Sequence, residues 1–242
     1  QIARISVGPV GTIVDELNVF NLPFVFRSEA HMRKVIDGPI GKELLGKVSA
    51  DARTKLIGLC WMDAGSRNVY TSKAIHKPAD LHGLKIRMMG NPIFVDTMNA
   101  MGGNGIAMGF DQLYNALQTK VVDGAENNPP TFVVQNHYQV AKVFSMTEHL
   151  IIPEILVFSR ASWEKLSKAD QALITKFAAE AQQEQRQLWD AKVKEAVDKM
   201  KASGITIVTD VDKKAFQAAV KPVWDKYGSK YGDLIKRINA VN

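Results

Sequence analysis

Asp80-Leu81-His82-Gly83-Leu84-Lys85-Ile86-Arg87-Met88-Met89-Gly90-Asn91-Pro92 carries the fold class of this chain in thirteen residues. Residues 84–89 alternate apolar and polar side chains after a glycine turn, the two-residue period of a strand. Asn91 then offers an N-cap, Pro92 fits the first helical position, and Phe94, Val95, Met98 and Met101 follow at helical spacing. Arg87 therefore sits near the C-terminal end of a strand that feeds directly into a helix. In α/β sheets ligands collect in the crevice at that strand end, and helix N-termini favour anions. A guanidinium there reads as a carboxylate clamp. The plainer reading, a surface arginine paired across strands, stays open at this point.

Two more strand-to-helix junctions lie downstream. Met108-Gly109-Phe110-Asp111 precedes a helix carrying Leu113, Ala116 and Leu117, which Asp111 is placed to cap. Val121-Val122-Asp123-Gly124-Ala125-Glu126-Asn127-Asn128-Pro129-Pro130 ends a short strand in glycine, a charged residue and two amides. In a parallel sheet the ends of these strands share one edge and face one cleft. Asn127 and Asn128 equally suit a turn and a helix cap. Asp123 and Glu126 read as structural partners, since nothing holds them at the separation of an acid/base pair.

The wider pattern predicts strands at 2–7, 55–61, 66–70, 84–89, 105–108, 121–123 and 155–158. Helices are expected at 29–36, 42–52, 92–101, 112–119 and 132–143. That alternation predicts an α/β fold with substantially parallel sheets. Ser167-Lys168-Ala169-Asp170 has capping-box spacing and opens a run of apolar residues from Leu173 to Met200, which Gly204 stops. A helix of about 34 residues is roughly 50 Å long, more than a small domain needs, so it is expected to run along two lobes.

Composition excludes several classes. The chain has 242 residues, 46% hydrophobic and 23% charged, enough to bury a core without staples. Its single Cys60 rules out an internal disulfide and a multi-cysteine metal site, and following an apolar strand it reads as a buried hydrophobe. The formal charge of +6 is spread rather than clustered, which argues against nucleic acid as a partner. No apolar run is long enough to span a membrane; Leu150-Ile151-Ile152 is stopped by Pro153-Glu154. Residues 1–7 read as a strand entered abruptly, without a leader pattern. No phosphate-binding, zinc-protease or nucleophile-elbow motif occurs, and the five histidines are scattered, so neither a metal nor a cofactor is expected.

From Leu84 to His149 the chain resembles the solute receptors of tripartite ATP-independent periplasmic (TRAP) transporters, the DctP family. The resemblance rests on Asp80-Leu81-x-Gly83-Leu84-Lys85-Ile86-Arg87, Met108-x-Phe110-x-x-Leu113-Tyr114-x-Ala116-Leu117-Gln118, Val121-Val122-Asp123-Gly124-x-Glu126-Asn127 and Thr147-Glu148-His149. It extends back through Leu17-Asn18-Val19-Phe20-x-Leu22-Pro23-Phe24 and forward into the long helix. It implies two α/β lobes with crossing hinge strands near 64–66 and Pro153: lobe one from 1–64 and 153–192, lobe two from 65–152 and 193–242, with the ligand cleft between them. It implies that Arg87 clamps a ligand carboxylate, that Arg67 is the second ligand-facing arginine, that Asn127 contacts the carboxylate region and that Phe110 lines the pocket. Both prolines of the family's Gly-Ala-x-Pro-x-Pro-Met segment are lost in Gly102-Gly103-Asn104-Gly105-Ile106-Ala107-Met108. The chain also starts partway into the family pattern, without the first strands of lobe one.

The implied protein is a periplasmic, monomeric, non-enzymatic receptor that delivers a small carboxylate to the membrane subunits of its transporter. The segment from Trp61 to Arg67, with Ala125-Glu126-Asn127-Asn128, is similar to receptors for sugar acids, hexuronates in particular. Asp63 and Asn128 then join the candidate ligand contacts through hydroxyls, with Asp63 equally suited to pairing an arginine at the hinge. A C4-dicarboxylate is the alternative within the family. An α/β enzyme acting on an anionic substrate is the alternative outside it, although no credible acid, base or nucleophile set is present.

Overall fold

The computed structural model describes residues 1–242. Its strands are β1 (Ile2–Ser6), β2 (Leu56–Met62), β3 (Ser66–Thr71), β4 (Lys85–Met88), β5 (Asn104–Ala107), β6 (Gly124–Asn127), β7 (Val143–Ile151), β8 (Glu154–Ser159) and β9 (Thr206–Val208). They form a three-stranded sheet in the order β1-β8-β2 and a six-stranded sheet in the order β5-β4-β6-β3-β7-β9. In the larger sheet β3 alone opposes its neighbours, and the other five strands share one direction. The expectation of a parallel sheet holds there. It fails in the smaller sheet, where β8 runs antiparallel to both β1 and β2. Two crossings explain both facts. The chain leaves β2 at Met62 and enters the larger sheet at Ser66, then leaves β7 at Ile151 and re-enters the smaller sheet at Glu154. Each immigrant strand starts at the edge where its new neighbours end, so it runs against them.

Gly65 makes the first crossing with φ +65, and a Cβ there would lie 3.0 Å from Trp189 Nε1. The turn needs a residue that tolerates positive φ without a side chain. Asn91 caps the helix Pro92–Ala100 by accepting from Ile93 N at 3.0 Å, as its position predicts. The long helix covers Lys168–Ala202, capped by Ser167 Oγ, which accepts from Asp170 N at 3.1 Å. It packs against β2 and then passes the helix Pro129–Val134 and β9, so it touches both sheets.

Other local expectations give way. The strand expected at 121–123 lies three residues later, at Gly124–Asn127. Val121 and Val122 carry the β-branched signal, but the strand starts where a glycine is required: a Cβ on Gly124 would meet Tyr70 O at 2.5 Å. The helix expected at 132–143 covers Pro129–Val134, and Asn136 at φ 57 turns the chain away. That releases β7, which the alternation did not disclose. Its pairing with β3 jumps from Arg67↔Leu150 to Val69↔Ser145, a bulge that blurs a two-residue period. Asp111 does not cap; the helix Leu113–Gln118 starts through a 3₁₀ turn at Phe110–Gln112.

The main core joins Leu17, Phe20, Met32 and Trp61 to Ile86, Phe94, Phe216 and Ile238. A second cluster around Tyr70, Phe132 and Phe144 backs the larger sheet, and Cys60 lies buried in a third beside Phe158 and Ala178. No helix is long and apolar enough to cross a membrane.

Candidate functional site

The C-terminal ends of β4 and β6 and the first residues of β3 meet on one edge of the larger sheet. Opposite them lie the end of β1 and the start of β8. Between these edges is a cavity of about 860 Å³, lined among others by Arg67, Arg87, Phe110, Asn127 and Asn128. The convergence of junctions expected from sequence is therefore present. Asp63 is the exception and does not line the cavity.

Arg87 is 2% exposed and extends from β4, paired with Ala125 of β6 and Ile106 of β5. Its Nε donates to Met108 O at 2.9 Å. That single bond fixes the plane of the guanidinium. Neither Nη atom has a protein partner, and Nη1 is fully buried. The Phe110 ring packs against the guanidinium, its centroid 5.7 Å from Cζ. Burial lowers the Arg87 pKa from its ordinary value; Glu126 opposes that shift and Arg67 adds to it. A desolvated guanidinium with free donors has a strong requirement for an anion.

Arg67 differs in kind. Its Nε meets Glu126 Oε2 at 2.5 Å, its Nη2 meets Glu126 Oε1 at 2.8 Å, and its Nη1 donates to Asn127 Oδ1 at 3.0 Å. Burial opposes ionisation of Glu126, but the Arg67 charge and hydrogen bonds, with His149 Nε2 3.6 Å away, outweigh it and hold the carboxyl at about 2. His149 continues this buried chain to Thr147 Oγ1 at 2.8 Å, and Thr147 in turn accepts from Val69 N at 3.1 Å. Glu126 is thus a structural partner, as expected, and its partner is the second arginine.

Asn127 Oδ1 also accepts from Asn128 N at 2.9 Å, leaving Nδ2 without a protein partner at the cavity wall. Asn128 has both side-chain atoms engaged: Oδ1 accepts from Thr131 N at 2.8 Å as a helix cap, and Nδ2 donates to Ala64 O at 2.8 Å at the hinge. Asp63, 1% exposed, takes Arg33 Nε at 2.5 Å and lies 3.5 Å from Arg186 Nε of the long helix. Its arginine-partner reading is the one the geometry matches.

Arg4, Glu154, Trp189 and Lys192 line the same cavity and were not singled out from sequence. Arg4 forms an ion pair with Glu154, donates to Asp63 O at 2.7 Å and lies over the Trp189 ring. Trp189 was legible only as a core position of a long helix. Behind Phe110 the His137 Nδ1 meets the Tyr70 hydroxyl at 2.8 Å. Burial, with Arg87 nearby, pushes His137 down to about 4. No cluster of side chains suited to a metal ion is present.

The chain matches the family described as bacterial extracellular solute-binding protein, family 7 (DctP), over residues 1–230. A TRAP periplasmic solute-binding protein from Pseudomonas putida F1, solved with bound D-glucuronate, is 53% identical with a TM-score of 0.96, covering 100% of this chain and 78% of that one. A Citrobacter koseri protein is 46% identical; its D-glucuronate complex gives a TM-score of 0.96 over 100% of this chain and 80% of that one. The apo, open form of the C. koseri protein gives 0.87 over 99% and 80%. A Xanthobacter autotrophicus Py2 protein with bound β-D-galacturonate is 37% identical, with a TM-score of 0.93 over 100% and 80%. The present structure is thus nearer the bound than the open form of the C. koseri protein. With two sheets joined by crossing strands, a helix that touches both, and a guanidinium facing the cleft between them, the chain belongs to the DctP family of TRAP-transporter solute-binding proteins.

Proposed function

We propose that this protein is the receptor for a hexuronate, D-glucuronate or D-galacturonate, in a TRAP transport system. The observation that carries the reading is Arg87: a buried, cavity-lining guanidinium held by one carbonyl, with neither Nη atom taken by a protein acceptor. A carboxylate there completes a bidentate, charge-assisted pair. At ~4 Å and an effective dielectric near 20 its Coulomb term is about 4 kcal/mol before desolvation. Asn127 Nδ2 supplies a further donor and Phe110 an apolar wall. Arg67, paired with Glu126, acts from behind by holding Asn127 in place. In this reading Asn128 and Asp63 shape the hinge rather than touch ligand. Bound uronates in relatives at 37–53% identity support the ligand class.

The lobes comprise 1–64 with 153–192 and 65–152 with 193–242, a division supported by the two sheets and by the crossings at 62–66 and 151–154. Helices near the C-terminus add contacts to both parts, since Gly232–Asn239 packs on Pro39–Ala50 and Lys221–Tyr227 on Pro92–Ala100. Closure over the ligand changes the outline of the molecule, which the membrane subunits read. The protein works as a monomer in the periplasm and performs no chemistry on its ligand. Titration calorimetry against D-glucuronate, D-galacturonate and succinate tests this. Tight binding of a uronate, returned unchanged, is expected; a preference for succinate, or turnover of the uronate, overturns the reading.

A further inference from the structure

The charged groups around the cavity fall into pairs with one remainder. Arg67 is neutralised by Glu126, Arg4 by Glu154, and Lys192 by Glu195 at 2.9 Å. Arg87 alone has no carboxylate; Asp111, which acts on it through space, forms neither a hydrogen bond nor an ion pair. The cavity therefore holds one uncompensated positive charge. The pairs differ in position. Glu126, on β6, is 0% exposed and does not line the cavity, whereas Glu154 lines it from the first residue of β8, paired in register with Ser6 at the end of β1. A ligand anchored at Arg87 on the larger sheet extends its far end toward the smaller one, where Arg4 and Glu154 stand.

We propose that Glu154 is a specificity-determining residue that limits the site to acids with a single carboxylate. The inference rests on the hexuronate reading and names the feature of the ligand that the site rejects. Hydroxyls at the far end are accommodated by an ion pair, because Glu154 accepts and Arg4 donates. A second carboxylate is not: it meets Glu154 at close range, and the cations lining the cavity there, Arg4 and Lys192, are already paired with Glu154 and Glu195. Rejection comes from an unpaired like charge, the usual route to discrimination between similar ligands. The effect is electrostatic and partly solvent-screened, so it weakens as salt rises.

Competition against D-glucuronate, read by calorimetry at low ionic strength, tests the assignment. D-Gluconate and D-glucarate are both open-chain six-carbon acids that differ by the second carboxylate. In the wild-type protein D-gluconate competes more strongly than D-glucarate, by about tenfold for one like charge at a part-exposed site. Glu154→Gln keeps the shape and frees Arg4, so D-glucarate gains relative to D-gluconate by a similar factor. Arg4→Gln leaves Glu154 unpaired and weakens all these acids, D-glucarate most. A merely structural role for the pair moves both variants the same way, which overturns the proposal. So does an unchanged D-glucarate to D-gluconate ratio in Glu154→Gln. If neither open-chain acid competes in the wild type, D-glucarate must begin to compete in Glu154→Gln, and its failure to do so overturns the proposal. Binding of D-glucuronate with an unmoved ratio defeats this inference alone. Absence of D-glucuronate binding defeats the hexuronate reading and this inference with it.

Discussion

Arg87 on β4 and Arg67 on β3 flank β6 in one sheet and share a cavity, yet their substitution has opposite consequences. Arg87 contributes one hydrogen bond to the fold and keeps a desolvated charge without a counter-ion. Arg87→Ala is expected to abolish uronate binding in calorimetry while the apo melting temperature stays level or rises. Arg67→Ala strands Glu126, which is 0% exposed, and breaking such a buried pair costs about 3–5 kcal/mol. A large loss in urea midpoint is expected for Arg67→Ala and not for Arg87→Ala; equal stabilities contradict the division of roles. His137 adds a pH signature. Its native pKa is depressed to about 4 from an ordinary 6.5, so the unfolded chain binds the extra proton between these values. Stability from the neutral ring is complete above the unfolded value and falls as pH drops from about 6.5 to 4. His137→Gln flattens that part of a melting-temperature profile. The Glu126 contribution fades lower, from the ordinary carboxylate range down to about 2.

At the scale of elements, the features legible in sequence are those with nearby causes. The caps at Asn91 and Ser167 work through backbone groups two or three residues away, and both are where spacing puts them. β4 was legible for the same reason, since its alternation and glycine turn are contained in one short segment. β6 and β7 were not. The first opens on Gly124 and Ala125, with β3 and β4 crowding Gly124 on either side, and the second has its alternation broken by a bulge. Asn128 shows the cost of reading an element by itself. Its amide suits a ligand, but the cap to Thr131 and the bond to Ala64 O consume both side-chain atoms. Asn128→Ala is expected to lower stability by about 1 kcal/mol or more, from the lost cap alone. A thermal melt of the apo protein reads this, and affinity should fall less than in Arg87→Ala.

Over the whole molecule, the crossing strands and the long helix tie the two sheets into one hinge, with Asp63 binding Arg33 on one side and approaching Arg186 on the other. The likeness to a ligand-bound relative over its open form predicts that the apo protein samples a wider arrangement in solution. Small-angle scattering is expected to show a smaller radius of gyration on adding D-glucuronate, and no change with Arg87→Ala; equal radii in both states refute closure. Sequence by itself determined the strand bearing Arg87, the caps, the long helix and the family, because each rests on local periodicity or a contiguous motif. Tertiary structure alone decided which charges are spent and which are free. Asp63 meets Arg33 and Arg186, Arg67 meets Glu126, and Arg4 meets Glu154 from distant parts of the chain. Ion pairing depends on distance in space, which no spacing along the chain records, so only the fold leaves Arg87 as the one unmatched charge at the cleft.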